Sequence, residues 1–273
     1  MIPVQECRSV EPVSVKGNGQ CRERANHVTT SIVFDIETGP LPQDILAGLF
    51  EPYVPMEFDP SSVKYGNTKD EGKRAAKLEE VRGKHLETEL AKAFAKEQEF
   101  FGKAALNADT GQVLAIGYYW PGEDDEMIVG NDLTDEAGLL INFWSIATEA
   151  VKGRAAMVGH NITGFDLPFM VRRSWLLGVN VPAAVFGGSG GPALSLNTRY
   201  FSDSFIDTQR RWQLSTGDYI SLDRLSRAMG VGRKTGDGAD FARLWAADRA
   251  AAVEYLRNDL RLTWSVARRM GVQ

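Results

Sequence analysis

With 273 residues, 43% of them hydrophobic, the chain is long enough to bury a full core as a single α/β unit without a partner. Its net charge of -5 argues against a protein that coats nucleic acid, because backbone binding is driven by Lys and Arg neutralising phosphates. No apolar run is long enough to span a bilayer, the N-terminal residues lack the apolar core of a signal peptide, and Cys7 and Cys21 support neither a disulfide framework nor a zinc site, so a cytoplasmic location is the expectation.

Residues 1–28 have no sustained periodicity and are read as a flexible N-terminal tail, leaving 29–273 as one domain. The first strand is predicted over Thr30 to Glu37, within the apolar run Ile32-Val33-Phe34-Asp35-Ile36-Glu37-Thr38-Gly39. Its alternation puts Asp35 and Glu37 on one face, two hard oxygen ligands at one sheet edge. After Gly39-Pro40 comes a Pro-rich segment carrying Phe50, Tyr53 and Phe58, and then a charged stretch from Asp70 to about Lys103 that is rich in helix formers. One or two helices are expected there, with Leu78, Val81, Leu86, Leu90, Phe94 and Phe101 as a discontinuous apolar stripe. Residues 41–108 therefore read as a largely helical insertion after the first strand, serving either to shield the core or to grip a substrate.

Asp109-Thr110-Gly111 signals a turn, and Gln112 to Trp120 a strand. A second turn leads into Met127-Ile128-Val129, completing an antiparallel meander. Thr134 is a candidate N-cap for a helix opened by Glu136 and carrying Leu140, Phe143, Trp144 and Ala147. Strands are expected at Ala155 to Gly159 and Ser204 to Asp207, and helices over Gly164 to Leu177, Leu222 to Met229 and Phe241 to Met270, the last broken near Ala247. The order β-β-β-α-β-α-β-α is that of a ribonuclease H-like fold, a mixed central sheet flanked by helices. Gly187-Gly188-Ser189-Gly190-Gly191-Pro192 is a flexible loop, and without a Lys-Ser/Thr end or a following helix it is no phosphate-binding P-loop.

Two further segments bear on chemistry. In His160-Asn161-Ile162-Thr163-Gly164-Phe165-Asp166-Leu167-Pro168, Asp166 falls at the start of a helix beyond a buried strand, where ligands commonly gather. The plain alternatives are a capping carboxylate for Asp166, a structural histidine for His160 and a core plug for Phe165. In Glu254-Tyr255-Leu256-Arg257-Asn258-Asp259-Leu260, Tyr255 and Asp259 lie one helical turn apart and can point into one pocket. Basic residues cluster at Lys64, Lys69, Lys73, Arg74 and Lys77, and again at Arg210, Arg211, Arg224, Arg227, Arg233 and Lys234. Each cluster is either a solvated face or a rim for a polyanion.

Asp35-x-Glu37, Asn161 with Phe165-Asp166, and Tyr255-x-x-x-Asp259 together resemble the three exonuclease motifs of the DEDD (DnaQ-like) superfamily, in its tyrosine subgroup DEDDy, which includes proofreading domains of DNA polymerases. Within that subgroup the chain is most similar to the stand-alone, family-B-polymerase-like predicted 3′-5′ exonucleases of bacteria and phages. Arg199-Tyr200, Ile206-Asp207-Thr208 and Lys234 with Gly236-Asp237-Gly238 also resemble that group.

The resemblance implies hydrolysis of phosphodiester bonds at the 3′ end of single-stranded nucleic acid, DNA in preference to RNA, releasing nucleoside 5′-monophosphates. It implies two divalent ions, Mg²⁺ or Mn²⁺, held by oxygen ligands. Asp35 would bridge both, Glu37 and Asp259 would hold the ion that activates water, and Asp166 would act mainly on the second. Tyr255 would orient the attacking water. Thr38, Asn161 and Phe165 are the implied substrate contacts, with Asp207 in structural support. The setting would be a bacterial cytoplasm or a phage-infected host, and a polymerase or repair partner would be a separate chain. The rivals are an RNA-trimming exoribonuclease like RNase D and a catalytically silent nucleic-acid-binding scaffold of the same fold.

Overall fold

The alternating run that opens with Ser31 becomes the central strand of a five-stranded sheet in the computed structural model, which describes residues 31–130, 135–153, 155–182, 204–214 and 217–272. The strands are β1 (Ser31–Pro40), β2 (Gly111–Trp120), β3 (Asp125–Gly130), β4 (Ala156–Gly159) and β5 (Phe205–Asp207), in the order β3-β2-β1-β4-β5. β1, β2 and β3 form the antiparallel meander, whereas β4 lies parallel to β1 and β5 parallel to β4. This mixed sheet flanked by helices is an α/β arrangement of the ribonuclease H-like kind. The tail 1–28 with Cys7 and Cys21, Thr134, the Gly187–Pro192 loop and Arg199-Tyr200 lie outside the described residues.

Period-two alternation sorts the two faces of β1. Ile32, Phe34 and Ile36 join Ile116, Tyr118 and Met157 in a core closed by α3 (Glu136–Lys152) and α4 (Asp166–Leu176), through Leu140, Phe143, Phe169 and Met170. Val33 on the opposite face packs with Tyr119, Val158 and Leu260 of α8 (Arg249–Arg269). Asp35 and Glu37 share that second face, so the strand aims both carboxylates at α8.

Where β3 leads into α3, the capping side chain belongs to Asp135, which accepts from the Gly138 amide at 2.9 Å. The C-terminal helical region breaks at Asp248, one residue past the expected position. α7 (Phe241–Ala247) ends there, and Asp248 caps α8 by accepting from Ala251. A buried ion pair locks α3 to α4: Glu136 accepts from Arg173 Nε at 2.9 Å and from the Val113 amide at 2.8 Å.

Between β1 and β2 lie a short α1 (Gln43–Leu49), which its Pro-rich surroundings hid, and one uninterrupted α2 (Glu71–Gly102). The segment before α2 climbs antiparallel along it. Phe50 packs against Phe100 and Phe101 at ring distances of 5.2 and 5.5 Å. Further along, Glu89 accepts from the Tyr53 hydroxyl and the Met56 amide, both at 2.8 Å, and Arg74 lies over the Tyr65 ring at 5.0 Å. α2 and its escort thus form an arm whose foot is the 3-10 turn Ala104–Leu106 beside β1.

Candidate functional site

β4 pairs with β1 only through Ser31, Ile32 and Val33, so beyond Val33 that edge of β1 is free of strand partners. The opening forms where β4 ends at Gly159 and the chain turns toward α4, the usual place for ligands in an open α/β sheet. Asp166, the first residue of α4, fills part of it by accepting from the Ile36 amide at 3.2 Å. Its carboxylate therefore rests on the backbone between Asp35 and Glu37.

α8 covers the same region from the other face. Leu256 and Leu260 can lie close to the sheet because residue 117, paired with Asp35 in the register, is glycine. A Cβ there would come within 2.8 Å of Leu260 Cδ1 and 3.0 Å of Leu256 Cγ. The close approach delivers Tyr255 and Asp259, one turn apart, to the carboxylates of β1. One carboxylate oxygen each from Asp35, Glu37 and Asp259 lies within 4.8 Å of the others.

These groups are poorly hydrated. Asp259 is 1% exposed, Asp166 3%, Tyr255 5% and Glu37 8%, while Asp35 is half-buried. Burial, with Asp259 close by, pushes the Asp35 carboxyl up to about 7. Burial and the Asp35 charge raise Glu37 and Asp166 well above the usual carboxylate range. Asp259 is raised by burial as well, although Lys234 pulls the other way. Burial and the charges of Glu37, Asp259 and Asp35 raise the Tyr255 phenol far above its ordinary value, so it stays protonated.

Lys234, grouped by the sequence with cations of a solvated face or a polyanion rim, turns inward. Its ammonium lies 2.6 Å from Asp259 Oδ2 and 5.1 Å from the Tyr255 ring centre, with the side chain 23% exposed. Burial lowers its pKa, but Asp259, Asp35 and Glu37 more than offset that and leave it raised. The loop before it has no periodicity to mark the inward turn; the signal was the Gly236-Asp237-Gly238 that follows. A Cβ on Gly238 would sit 3.6 Å from the Tyr255 hydroxyl and 3.9 Å from Glu37 Oε2, so bare backbone lines the pocket there.

The remaining candidates are arranged around this centre. Asn161 adopts a left-handed conformation at φ 64°, and its amide donates to Asp207 at 2.9 Å. Asp207, deeply buried, also accepts from the amides of Thr163, Gln209 and Arg210, and so fixes the turn that leads into Asp166. Phe165 packs against Phe169 and the main core at 5.5 Å, which makes it at least partly a core residue. His160 is structural, with Nδ1 at 2.9 Å from the Thr208 hydroxyl and Nε2 at 3.0 Å from the Ile220 carbonyl. Thr38 spends its hydroxyl proton on the Ala105 carbonyl at 2.8 Å, tying β1 to the foot of the arm.

A divalent cation fits the donor set. Three carboxylates this close, buried and without a thiolate or imidazole among them, suit a hard cation that prefers oxygen. Asp259 Oδ1 and the Tyr255 hydroxyl are buried without a hydrogen-bond partner of good geometry, as groups awaiting an ion and a water would be. Among the described residues no helix is long and apolar enough to cross a membrane.

No curated protein matches the chain significantly. Among solved structures, the family B DNA polymerase from the hyperthermophilic archaeon Pyrobaculum calidifontis aligns at 20% identity and a TM-score of 0.46, over 59% of this chain and 22% of that one. The family model described as a predicted 3′-5′ exonuclease related to the exonuclease domain of PolB matches residues 112–272, more than half of the chain. The matched stretch contains Asp166, Lys234, Tyr255 and Asp259, and the structure adds Asp35 and Glu37 from the strand before it. The chain belongs to this family of predicted 3′-5′ exonucleases related to the exonuclease domain of PolB.

Proposed function

We propose that the protein removes nucleotides from the 3′ end of single-stranded DNA with the help of two divalent ions, Mg²⁺ or Mn²⁺. The observation that carries this reading is the convergence of Asp35, Glu37 and Asp259 within 4.8 Å beside a buried, protonated Tyr255. When bound, the ions supply charge stabilisation to the attacking and leaving oxygens of an in-line displacement. Asp35, Glu37 and Asp259, with Asp166 beside them, would hold these ions.

The chain's own groups do the rest. Tyr255, kept neutral, aligns the water by a hydrogen bond and does not abstract its proton. Lys234 offsets the acidic cluster and presents a positive charge to the incoming phosphate. Asp207 holds the Asn161 to Phe165 turn in shape, so that Asn161 and Phe165 meet the terminal nucleotide while Thr38 borders it. DNA is preferred to RNA on family likeness alone.

The test is shortening of a 5′-labelled single strand with Mn²⁺ or Mg²⁺, using matched DNA and RNA. Asp35→Ala is expected to lower the rate by at least about 10³-fold, the order reached when a group acting on the transition state is removed, while the far-ultraviolet circular dichroism is kept. Full activity in that variant overturns the site, and faster digestion of RNA favours the exoribonuclease reading.

A further inference from the structure

Most cations of the arm fall into two sets, with Lys96 apart from both. Beyond residue 79, Arg82, Lys84 and Lys92 each pair with a glutamate of α2, at 3.1, 2.5 and 2.7 Å. Before it, Lys64, Lys69, Lys73, Arg74 and Lys77 are exposed, and none has a carboxylate within ion-pair distance among the described residues. The stretch Lys64 to Lys77 holds five cations against Asp70 and Glu71, with Glu80 of the next turn near Lys77, in a protein whose net charge is -5. Asp70 is partly occupied in capping, since it accepts from the Lys73 amide at 3.1 Å.

An aromatic ring accompanies this charge. Tyr65 is half-buried beneath Arg74, with the guanidinium 5.0 Å from the ring centre. Cations along a backbone path, combined with an aromatic or guanidinium plane on which a base can stack, are what a single strand recognises without regard to sequence. A folded protein partner of acidic surface would use the charges but not the ring.

We propose that the tip of the arm, Lys64 to Lys77, is a second contact for single-stranded nucleic acid, binding the strand away from the end that is cut. The proposal rests on the exonuclease reading for its substrate class. α2 leads from this tip to Gly102, and its foot is tied to β1 through Thr38 and Ala105. Thirty-one helical steps place the tip roughly 46 Å from the foot, which corresponds to about 14 nucleotides at a helical rise of ~3.4 Å. Long strands should therefore engage both places at once and very short ones only one of them.

The experiment compares the full chain with a variant carrying Lys64→Glu, Lys69→Glu, Lys73→Glu and Lys77→Glu, and with its all-Gln counterpart. Binding of fluorescein-labelled thirty-mers and tetramers of deoxythymidine, and of uridine, is read by fluorescence anisotropy in EDTA, where a divalent-dependent enzyme cannot degrade them. Affinity for the thirty-mers should fall at least about tenfold in the Glu variant and less in the Gln variant, with the tetramers, which cannot span both places, changed less. The salt slope of log K should flatten by about 0.7 for each phosphate that the tip no longer neutralises. Equal thirty-mer affinity in wild type and Glu variant overturns the proposal. Hydrolysis of the p-nitrophenyl ester of thymidine 5′-monophosphate with Mn²⁺, a substrate too small to reach the arm, reports separately on the cutting site. Its absence in wild type, together with a tip-dependent thirty-mer affinity, would sink the exonuclease reading and leave the arm's binding standing.

Discussion

The Lys234 ammonium lies 2.6 Å from Asp259 Oδ2, inside a group of carboxylates. In the metal-free protein it is the cation that makes this crowding tolerable. Lys234→Met should therefore destabilise the protein in EDTA by about 3 kcal/mol, the low end for breaking a buried ion pair because the lysine keeps some solvent. Added Mn²⁺ should narrow the gap between variant and wild type, since an ion can take over the neutralisation. Thermal melting with and without Mn²⁺ measures both; an unchanged gap would mean that lysine and ion serve different carboxylates.

Asp35 offers a pH test. Its carboxyl is ordinarily near 3.8 and is pushed up to about 7 in the fold by burial and Asp259. The folded state thus holds its proton over a range where the unfolded chain has released it. The stabilisation is complete below pH 4 and disappears as pH rises toward about 7. Asp35→Asn keeps the neutral form at every pH, so in EDTA its melting temperature should exceed that of wild type at pH 8, with the difference shrinking toward pH 4. The direction matters more than the size, and a variant less stable at pH 8 would contradict the crowding. The same variant should be inactive.

Gly117 is where the sheet admits α8. Gly117→Val supplies a residue that otherwise favours strands, yet its Cβ would meet Leu260 and Leu256 at 2.8 and 3.0 Å. The helix must shift outward, at a cost of about 1–3 kcal/mol for an overpacked contact, carrying Asp259 and Tyr255 away from Asp35. A fall in rate much larger than the fall in stability is expected. Leu260→Ala in the same chain should recover part of the rate; failure to do so would show that Gly117 acts through the strand rather than the helix.

Much of this centre could be read from the chain because two simple periods carry it. The alternation of Ile32 to Glu37 was enough to put Asp35 and Glu37 on one face, and the four-residue spacing was enough to put Tyr255 over Asp259. Neither period could say that the two faces meet. That depends on a missing side chain at residue 117 and on β4 stopping short, so that Asp166 reaches the Ile36 amide. Lys234 escaped because it sits in a loop, where direction is set by contacts rather than by spacing. The climbing segment from Phe50 to Tyr65 escaped for the same reason, its partners being residues along α2 nine to fifty-one positions away.

Asp35 stands on the first described strand and Asp259 on the last helix, and the centre needs both. A ribosome delivers them in that order, and the earlier elements can pack before the later ones exist. Until α8 has emerged and settled on Gly117, the growing chain has Asp35, Glu37 and Asp166 at the sheet but lacks Asp259 and the Tyr255 phenol. On the reading proposed above, the cutting centre is therefore complete only once α8 has packed on the sheet.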